Sequence, residues 1–231
     1  MKKTIQWLKK WLKRVILFFL GSTLLMVILY RFIPVYLTPL MVIRYAEALF
    51  DDKKEARILK EWTSIEDISP HLWLAVVAAE DQNFMTHFGF DIDAIEKARE
   101  HNKRSKRIRG ASTISQQTAK NVFLWPQRSW VRKGLEVYFT FLIEVFWGKK
   151  RILEVYLNVA EMGQGIYGAE AAARFYYHKP ADKLSRSESA MLAAILPSPI
   201  RRNPARPSGY LVARQQRILT QMNNLEKISF D

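Results

Sequence analysis

Two adjacent carboxylates follow an apolar run, a position at which a carboxyl group could exchange protons. The segment EDQNFMTHFGFD begins with Glu80 and Asp81, directly after LWLAVVAA. A carboxylate at the end of a buried helix lies in a medium of low dielectric constant, which raises its pKa and suits it to general base catalysis. Asp81 could raise that pKa further by repulsion, or could hold a cation or a backbone amide. The structural alternative is that both side chains are solvated at the helix end, with Asp81 paired to a lysine.

A third carboxylate, Glu136, lies four residues after Arg132 and three after Lys133. This spacing places both cations on the helix face of Glu136, so the three residues could form an ordinary intrahelical ion pair worth roughly a few tenths of a kcal/mol. The alternative is a chemical role for Glu136, and the spacing alone does not decide between the two. His101 and His178 lack the spacing of metal ligands, so no histidine metal site is predicted.

Helices must position these groups. Ser69 as N-cap and Pro70 at the first helical position predict the start of the helix that leads to Glu80. Apolar residues cover nearly all of its surface as far as Ala79, so this helix is predicted to be buried. Further helices are predicted over DIDAIEKAREHN, STISQQTAKNVFLW, RKGLEVYFTFLIEVFW, KRILEVYLNVAEM, YGAEAAARFYYH and SRSESAMLAAIL.

Loops are predicted where glycine, proline and charge interrupt these patterns. The basic segment KRSKRIRGAS, 103–112, reads as a loop that could be solvated and mobile or could face anionic lipid, and PSPIRRNPARP reads as an extended segment. Gly163, Gly165 and Gly168 predict a turn-rich connector, and no convincing run of alternating strands is present. The sequence therefore predicts one mostly α-helical domain.

The N-terminus predicts a membrane anchor. Six cations in MKKTIQWLKKWLKR precede an apolar stretch over 15–37, which is long enough to span a bilayer as a helix. The basic flank predicts a cytoplasmic tail over 1–14 and an extracytoplasmic domain over 38–231. A cleaved signal peptide is the alternative, but the nearest A-x-A-like triplet, Ala46-Glu47-Ala48, lies too far beyond the apolar run.

Composition indicates a polyanionic partner. Lys+Arg outnumber Asp+Glu by 36 to 22, giving a net charge of +14, which favours nucleic acid, anionic lipid headgroups or pyrophosphates. The membrane anchor argues for the last two, and no nucleic-acid partner is predicted. The chain has no cysteine, which excludes disulfides and thiol chemistry.

Five segments, in order, resemble the five motifs of the peptidoglycan glycosyltransferases: EDQNFMTHFGFD, RGASTISQQTAKN, RKGLE, KKRILEVYLN and GIYGAEAAARFYYHK. The resemblance covers about residues 60–205. Because no S-x-x-K penicillin-binding signature is present, the chain resembles the monofunctional biosynthetic members rather than the class A penicillin-binding proteins. The resemblance implies a lysozyme-like helical large lobe, a smaller membrane-associated jaw lobe and a cleft between them.

The resemblance also implies a reaction. Members of the family join Lipid II to a growing lipid-linked glycan, with inversion at the anomeric carbon and release of undecaprenyl pyrophosphate. Glu80 matches the general base that deprotonates the 4-hydroxyl of Lipid II, and Glu136 matches the second essential carboxylate. Glu136 could orient the cations, hold a divalent cation (Mg or Mn) at the pyrophosphate, or protonate the leaving phosphate; no organic cofactor is expected. The implied substrate-binding residues are Asp81, Phe84, His87, Ser112, Thr113, Gln117, Lys120, Asn121, Arg132 and Lys133.

The same resemblance implies a location and partners. The enzyme is expected in the bacterial inner membrane as a single-pass protein with a periplasmic catalytic domain, with division or elongation proteins as further partners. The apolar segments 35–43 and 122–131 could lie in the outer leaflet or pack inside the domain.

Two other classes of function remain as rivals. A lytic transglycosylase or lysozyme-like hydrolase would also use a glutamate on a helical fold, but it would shorten glycan. A membrane-tethered scaffold without activity would tolerate Glu80→Gln. The order of the five motifs argues against both.

Overall fold

The computed structural model describes residues 2–51, 55–105, 110–225, 228 and 230 of the 231-residue chain. It separates into two compact units, residues 1–34 and 35–231. In the part that is described there are ten α-helices and three short strands, so the predicted mostly α fold class is confirmed.

The first unit is one long helix, α1 (Lys2–Phe32). Its range Thr4–Phe32 is long and apolar enough to cross a membrane. The basic N-terminal residues belong to the same helix. The helix ends five residues before the predicted end of the span, because Pro34 has no backbone N–H and disfavours helical geometry at Ile33.

The second unit begins with α2 (Pro39–Leu49), for which Thr38 is the N-cap and accepts a hydrogen bond from the Met41 amide. Eight helices follow: α3 (Pro70–Glu80), α4 (Ile92–Arg104), α5 (Ile114–Phe123), α6 (Trp130–Phe146), α7 (Gly148–Val159), α8 (Ala169–Tyr177), α9 (Arg186–Ile195) and α10 (Gly209–Asn224). The core forms where α3 packs against α9 and α10, and where α5 packs against α6 and α7. As predicted, α3 begins at Pro70 and is buried along most of its length.

The glycine-rich connector forms two strands of a small three-stranded sheet. Strands β1 (Leu59–Lys60), β2 (Glu161–Gly163) and β3 (Ile166–Tyr167) lie in the order β1-β3-β2; β1 is parallel and β2 antiparallel to β3. Gly165 turns the chain between β2 and β3 with φ +68°, and a Cβ there would lie 2.4 Å from the Arg57 carbonyl oxygen. Only glycine fits this turn.

The predicted basic loop over 103–112 is wrong for its first two residues, since α4 continues to Arg104. Asp91 caps the start of α4 through the Ala94 amide, and the cations at its end are favoured by the helix dipole. Within the remainder of that prediction, residues 106–109 lie outside the described residues, and 105 and 110–112 are not helical. Helix α10 is an addition to the predicted helices; Ser208 caps it, and Leu211, Ile218 and Met222 form its buried side.

The two apolar segments are divided between the interior and the surface. In the first, Val35 and Met41 are fully buried; in the second, Leu124 is buried whereas Trp130 and Val131 are exposed. The interpretation that these segments pack inside the domain therefore holds for the buried residues, and a position of the exposed ones in the outer leaflet stays a prediction.

Candidate active site

Asp81 joins the end of α3 to the start of α5. Its Oδ2 accepts a hydrogen bond from the Ile114 amide (2.9 Å), and its Oδ1 lies 2.9 Å from His87 Nε2. Asp81 is only 6% exposed. The solvated reading of Asp81 is therefore wrong, and of the roles left open for it the structure shows the contact with a backbone amide.

The segment between α3 and α4 is held by Thr113, the N-cap of α5. The Thr113 hydroxyl donates a hydrogen bond to the Gly89 carbonyl oxygen (2.7 Å), and Thr113 and Gln116 form a capping box. Phe84 is fully buried in the same segment, and Lys149 Nζ lies 4.8 Å from the centre of its ring. Four predicted substrate-binding residues, Asp81, Phe84, His87 and Thr113, thus form the frame beside the site. Contact of any of them with substrate stays a prediction.

Replacing Gly89 by alanine should destabilise this frame. Gly89 has φ +77°, and an added Cβ would lie 2.8 Å from Thr140 Cγ2 and 3.0 Å from Glu144 Cγ. We expect a loss of about 2–4 kcal/mol in the free energy of unfolding, from backbone strain and overpacking together. Thermal unfolding in detergent measures the effect. Gly209→Ala is the matched control, because a Cβ there has no heavy atom within 4 Å; equal melting temperatures for the two variants would contradict the argument.

Glu80, the last residue of α3, lies in a partly buried polar network. Gln117 Nε2 donates a hydrogen bond to Glu80 Oε2 (2.9 Å), and the Tyr156 hydroxyl donates to Gln117 Oε1 (3.2 Å). Arg214 Nη2 on α10 lies 3.6 Å from Glu80 Oε1. Burial raises the pKa of Glu80 above its ordinary value, although Gln117 and the positive charges of Arg214, Lys120 and Arg202 oppose the shift. This direction is the one that the position of Glu80 predicted.

Glu136 is bound by both neighbouring cations. Arg132 Nη1 lies 2.8 Å from Glu136 Oε2, and Lys133 Nζ bonds Oε1. The intrahelical ion pair is therefore present, but Glu136 is 4% and Arg132 8% exposed, so it is not a surface pair. Lys120 on α5 is partly buried, and desolvation lowers its pKa while the charge of Glu136 opposes that shift.

These side chains surround a cavity of about 590 Å³. Its charged lining consists of five cations and two carboxylates: Arg44, Lys120, Arg128, Arg132, Lys133, Glu136 and Glu161. Of the predicted site residues, seven line the cavity: Ser112, Gln117, Lys120, Asn121, Arg132, Lys133 and Glu136. Glu80 adjoins it through its hydrogen bond to Gln117. Net positive charge and burial make the cavity suited to an anionic ligand.

Sequence reasoning missed several residues of this site. Arg128 lies in the segment 122–131, which was interpreted from its apolar residues alone. The positive charge of Arg128, close to Pro126, was the sequence signal for a ligand-binding residue. Arg44 reaches the cavity from α2, and Arg214 reaches Glu80 from α10. Neither has a local sequence signal, because both act across long separations in the chain.

The described residues near the cavity do not by themselves form a divalent-cation site. Within the described ranges there is no group of three His, Cys, Asp or Glu side chains that could hold a metal ion. Both oxygens of Glu136 are bound to cationic side chains. A divalent cation at the pyrophosphate stays a prediction.

A glutamate beside a cationic cavity on a helical fold agrees with the resemblance to glycan-transferring enzymes, and comparison with known proteins shows the family. A family model described as Transglycosylase matches residues 48–223. The chain belongs to this transglycosylase family, and the lysozyme-like fold class is confirmed with it.

Curated relatives make the class more specific. The chain is 57% identical over 218 residues to a biosynthetic peptidoglycan transglycosylase of Bacteroides thetaiotaomicron, covering 94% of this chain and 88% of the relative. It is 53% identical over 222 residues to the protein of the same name from Bdellovibrio bacteriovorus, covering 96% and 88%. For the protein of that name from Mannheimia succiniciproducens the identity is 50% over 224 residues, covering 97% and 92%. The prediction of a peptidoglycan glycosyltransferase is thereby confirmed.

Proposed function

We propose that the protein polymerises glycan by joining Lipid II to a growing lipid-linked glycan, with inversion and release of undecaprenyl pyrophosphate. The observation that carries the proposal is the partly buried carboxylate of Glu80, hydrogen-bonded to Gln117 on the wall of a cavity lined by five cations. A base and an anion-binding surface are the two parts that this reaction requires.

Glu80 is the general base of the proposed reaction. It removes the proton from the 4-hydroxyl of Lipid II as that oxygen attacks the anomeric carbon of the growing chain. The hydrogen bond from Gln117 occupies Oε2 and the guanidinium of Arg214 faces Oε1, which fixes the carboxylate plane. The raised pKa makes the carboxylate a stronger base than an exposed glutamate, as proton abstraction requires.

The leaving pyrophosphate is bound by the cations of the cavity. Lys120, Arg132 and Lys133 stabilise the negative charge that develops as the anomeric bond breaks, and Arg128 adds a guanidinium to the same lining. Arg presents a planar pair of donors to phosphate oxygens, whereas Lys presents a point charge. Glu136 holds Arg132 and Lys133 in place, which favours the orienting role among the three left open for it.

The enzyme works at the inner membrane, with α1 as its single span and the catalytic unit in the periplasm. The apolar helix and its basic flank support this arrangement. Within the second unit, α6 exposes Val137, Phe141 and Val145, and the ring of Phe88 lies 6.1 Å from that of Phe141. We assign this surface to contact with the outer leaflet, where the lipid tail of the substrate can stay. Division or elongation proteins are the further partners proposed.

Incubation of the detergent-solubilised full-length protein with labelled Lipid II tests the proposal. Polymeric lipid-linked glycan is the expected product, and preformed glycan offered alone should stay at its initial length. Shortening of that glycan without polymer formation would favour the hydrolytic rival. Neither reaction, beside a reference polymerase that is active under the same conditions, would favour the scaffold.

The pH dependence of polymerisation should report the charge around Glu80. Because the base must be ionised and burial raises its pKa, the rate should fall with decreasing pH earlier than for an ordinary carboxylate. Arg214 favours the ionised form, so Arg214→Gln should move this acidic limb upward by about one pH unit. Arg214→Lys keeps the positive charge, so its acidic limb should lie close to that of the unmodified enzyme.

Arg217→Gln is the control for that experiment, because Arg217 is exposed on the same helix. Its pH–rate profile should match that of the unmodified enzyme. An acidic limb at the same pH in Arg214→Gln and Arg217→Gln would show that Arg214 does not act on Glu80.

A further inference from the structure

The first thirteen helical residues of α1, residues 2–14, have a different character from the rest of the helix. At 100° per residue, the apolar side chains fall within an arc of roughly 160°, and Lys9, Lys10 and Lys13 lie on the opposite side. The structure shows the segment as regular helix and leaves its apolar side chains exposed, with Trp7 64% and Trp11 53% exposed. The apolar side consists of Ile5, Trp7, Leu8, Trp11 and Leu12.

The helix is too long to lie entirely within a bilayer at right angles to its plane. Its 31 residues correspond to about 46 Å, against about 30 Å of hydrocarbon. The apolar residues 15–32 alone supply about 27 Å. In a perpendicular helix, residues 2–14 would therefore extend into water together with two tryptophans.

Tilting of the helix resolves this mismatch. No glycine or proline lies between Lys2 and Leu20, so nothing in the sequence bends the helix there. A tilt of roughly 35°, within the usual range, brings residues 2–14 down into the headgroup region. The apolar arc can then face the acyl chains, as interfacial tryptophans do.

The positive charge of residues 2–14 identifies the ligand that the basic side of this segment binds. Six cations occur in residues 2–14, and the first carboxylate of the chain is Glu47. A basic face without acidic residues, backed by an apolar face, is typical of helices that bind anionic bilayers.

We propose that residues 2–14 form an interfacial helix that binds anionic lipid headgroups, with Trp7, Leu8 and Trp11 toward the acyl chains and Lys9, Lys10 and Lys13 toward the phosphates. The inference goes beyond the proposed function. It requires α1 to span the membrane but does not require any assignment in the active site.

The absence of cysteine allows a direct test with single-cysteine variants of the full-length protein. An environment-sensitive fluorophore is attached at Leu8→Cys on the apolar side, or at Gln6→Cys on the opposite side. A probe at Phe18→Cys, in the middle of the span, reports insertion. Each protein is reconstituted in phosphatidylcholine vesicles with or without 30% phosphatidylglycerol, and quenching is measured with neutral acrylamide and with lipids that carry a quencher.

In the anionic vesicles we expect the Leu8 probe to be quenched from the lipid and at least threefold less by acrylamide than the Gln6 probe. The protection of Leu8 should weaken without phosphatidylglycerol, at high salt, and in the triple variant Lys9→Gln, Lys10→Gln, Lys13→Gln. Equal acrylamide access for the two probes would overturn the inference, and so would protection of both. Protection of the Leu8 probe that is the same in neutral and anionic vesicles, or that depends on protein concentration, would also overturn the inference. So would a Phe18 probe that acrylamide can reach.

Polymerisation measured in the same vesicles separates this inference from the proposed function. Loss of protection at Leu8 with intact polymerisation would reject the interfacial helix alone. A protected Leu8 in a protein that makes no polymer would reject the polymerase alone.

Discussion

Glu80→Gln is expected to lower kcat for glycan polymerisation by about 10³-fold, within the range that general base catalysis contributes. Glutamine keeps the size of the side chain and can still accept the hydrogen bond from Gln117, but it cannot take a proton from the attacking hydroxyl. KM for Lipid II should change little, because the shape of the cavity is retained. Initial rates with labelled Lipid II, at saturating and limiting concentrations, separate the two constants.

Glu66→Gln is the matched control for this substitution. Glu66 is exposed and pairs with the exposed Lys150 on the surface. Because exposed pairs of this kind contribute little, the control should retain full activity and the melting temperature of the unmodified protein. A Glu80→Gln enzyme with more than a tenth of the original kcat would exclude Glu80 as the base.

Glu136→Gln is the second substitution with a large expected effect, a loss of about 10²-fold in kcat. A neutral amide cannot hold both Arg132 and Lys133, which Glu136 binds through its two oxygens. Arg132, 8% exposed, would lose its counter-charge in a buried position and shift away from the geometry in which it meets the leaving pyrophosphate. Activity and thermal unfolding measured on the same preparation separate a catalytic loss from a failure to fold.

The three roles of Glu136 predict different results in further arms of that experiment. If the residue orients cations, Glu136→Asp should recover part of the activity and chelation should not affect the unmodified enzyme. If it holds a divalent cation, EDTA should reduce the unmodified enzyme toward the level of Glu136→Gln. If it protonates the phosphate, Glu136→Gln should lose the basic limb of the pH–rate profile. Activity of Glu136→Gln within threefold of the original would contradict all three.

The sequence predicted those parts of the fold that local chemistry determines. Helix α3 begins at Pro70 because Ser69 and Pro70 favour a helix start, and its continuous apolar surface required burial. The strands β1 to β3 have only two or three residues each, too few to show alternation. The end of α4 was predicted two residues too early because Lys103 and Arg104 were read as the start of a loop, although cations in a last helical turn are favoured by the helix dipole.

The sequence predicted most of the residues of the candidate site, but it did not predict which of them contact each other. The motifs gave both carboxylates and the cations Lys120, Arg132 and Lys133, which line one cavity or adjoin it. They did not show that the Asp81 carboxylate accepts a hydrogen bond at the start of α5, because its partner, the Ile114 amide, lies 33 residues further along the chain. Arg214 was missed for the same reason, since only the packing of α10 on α3 brings it to Glu80.

The stereochemistry of the new glycosidic bond tests the central claim most directly. A single displacement assisted by Glu80 must invert the anomeric carbon, whereas retention requires a covalent intermediate on a carboxylate. NMR of the polymer made from isotopically labelled Lipid II, compared with the sugar–pyrophosphate bond of the substrate, gives both configurations. We predict opposite configurations for the substrate and the product. The same configuration in both would show that a side chain attacks the sugar, and it would contradict the assignment of Glu80 as a general base in a single displacement.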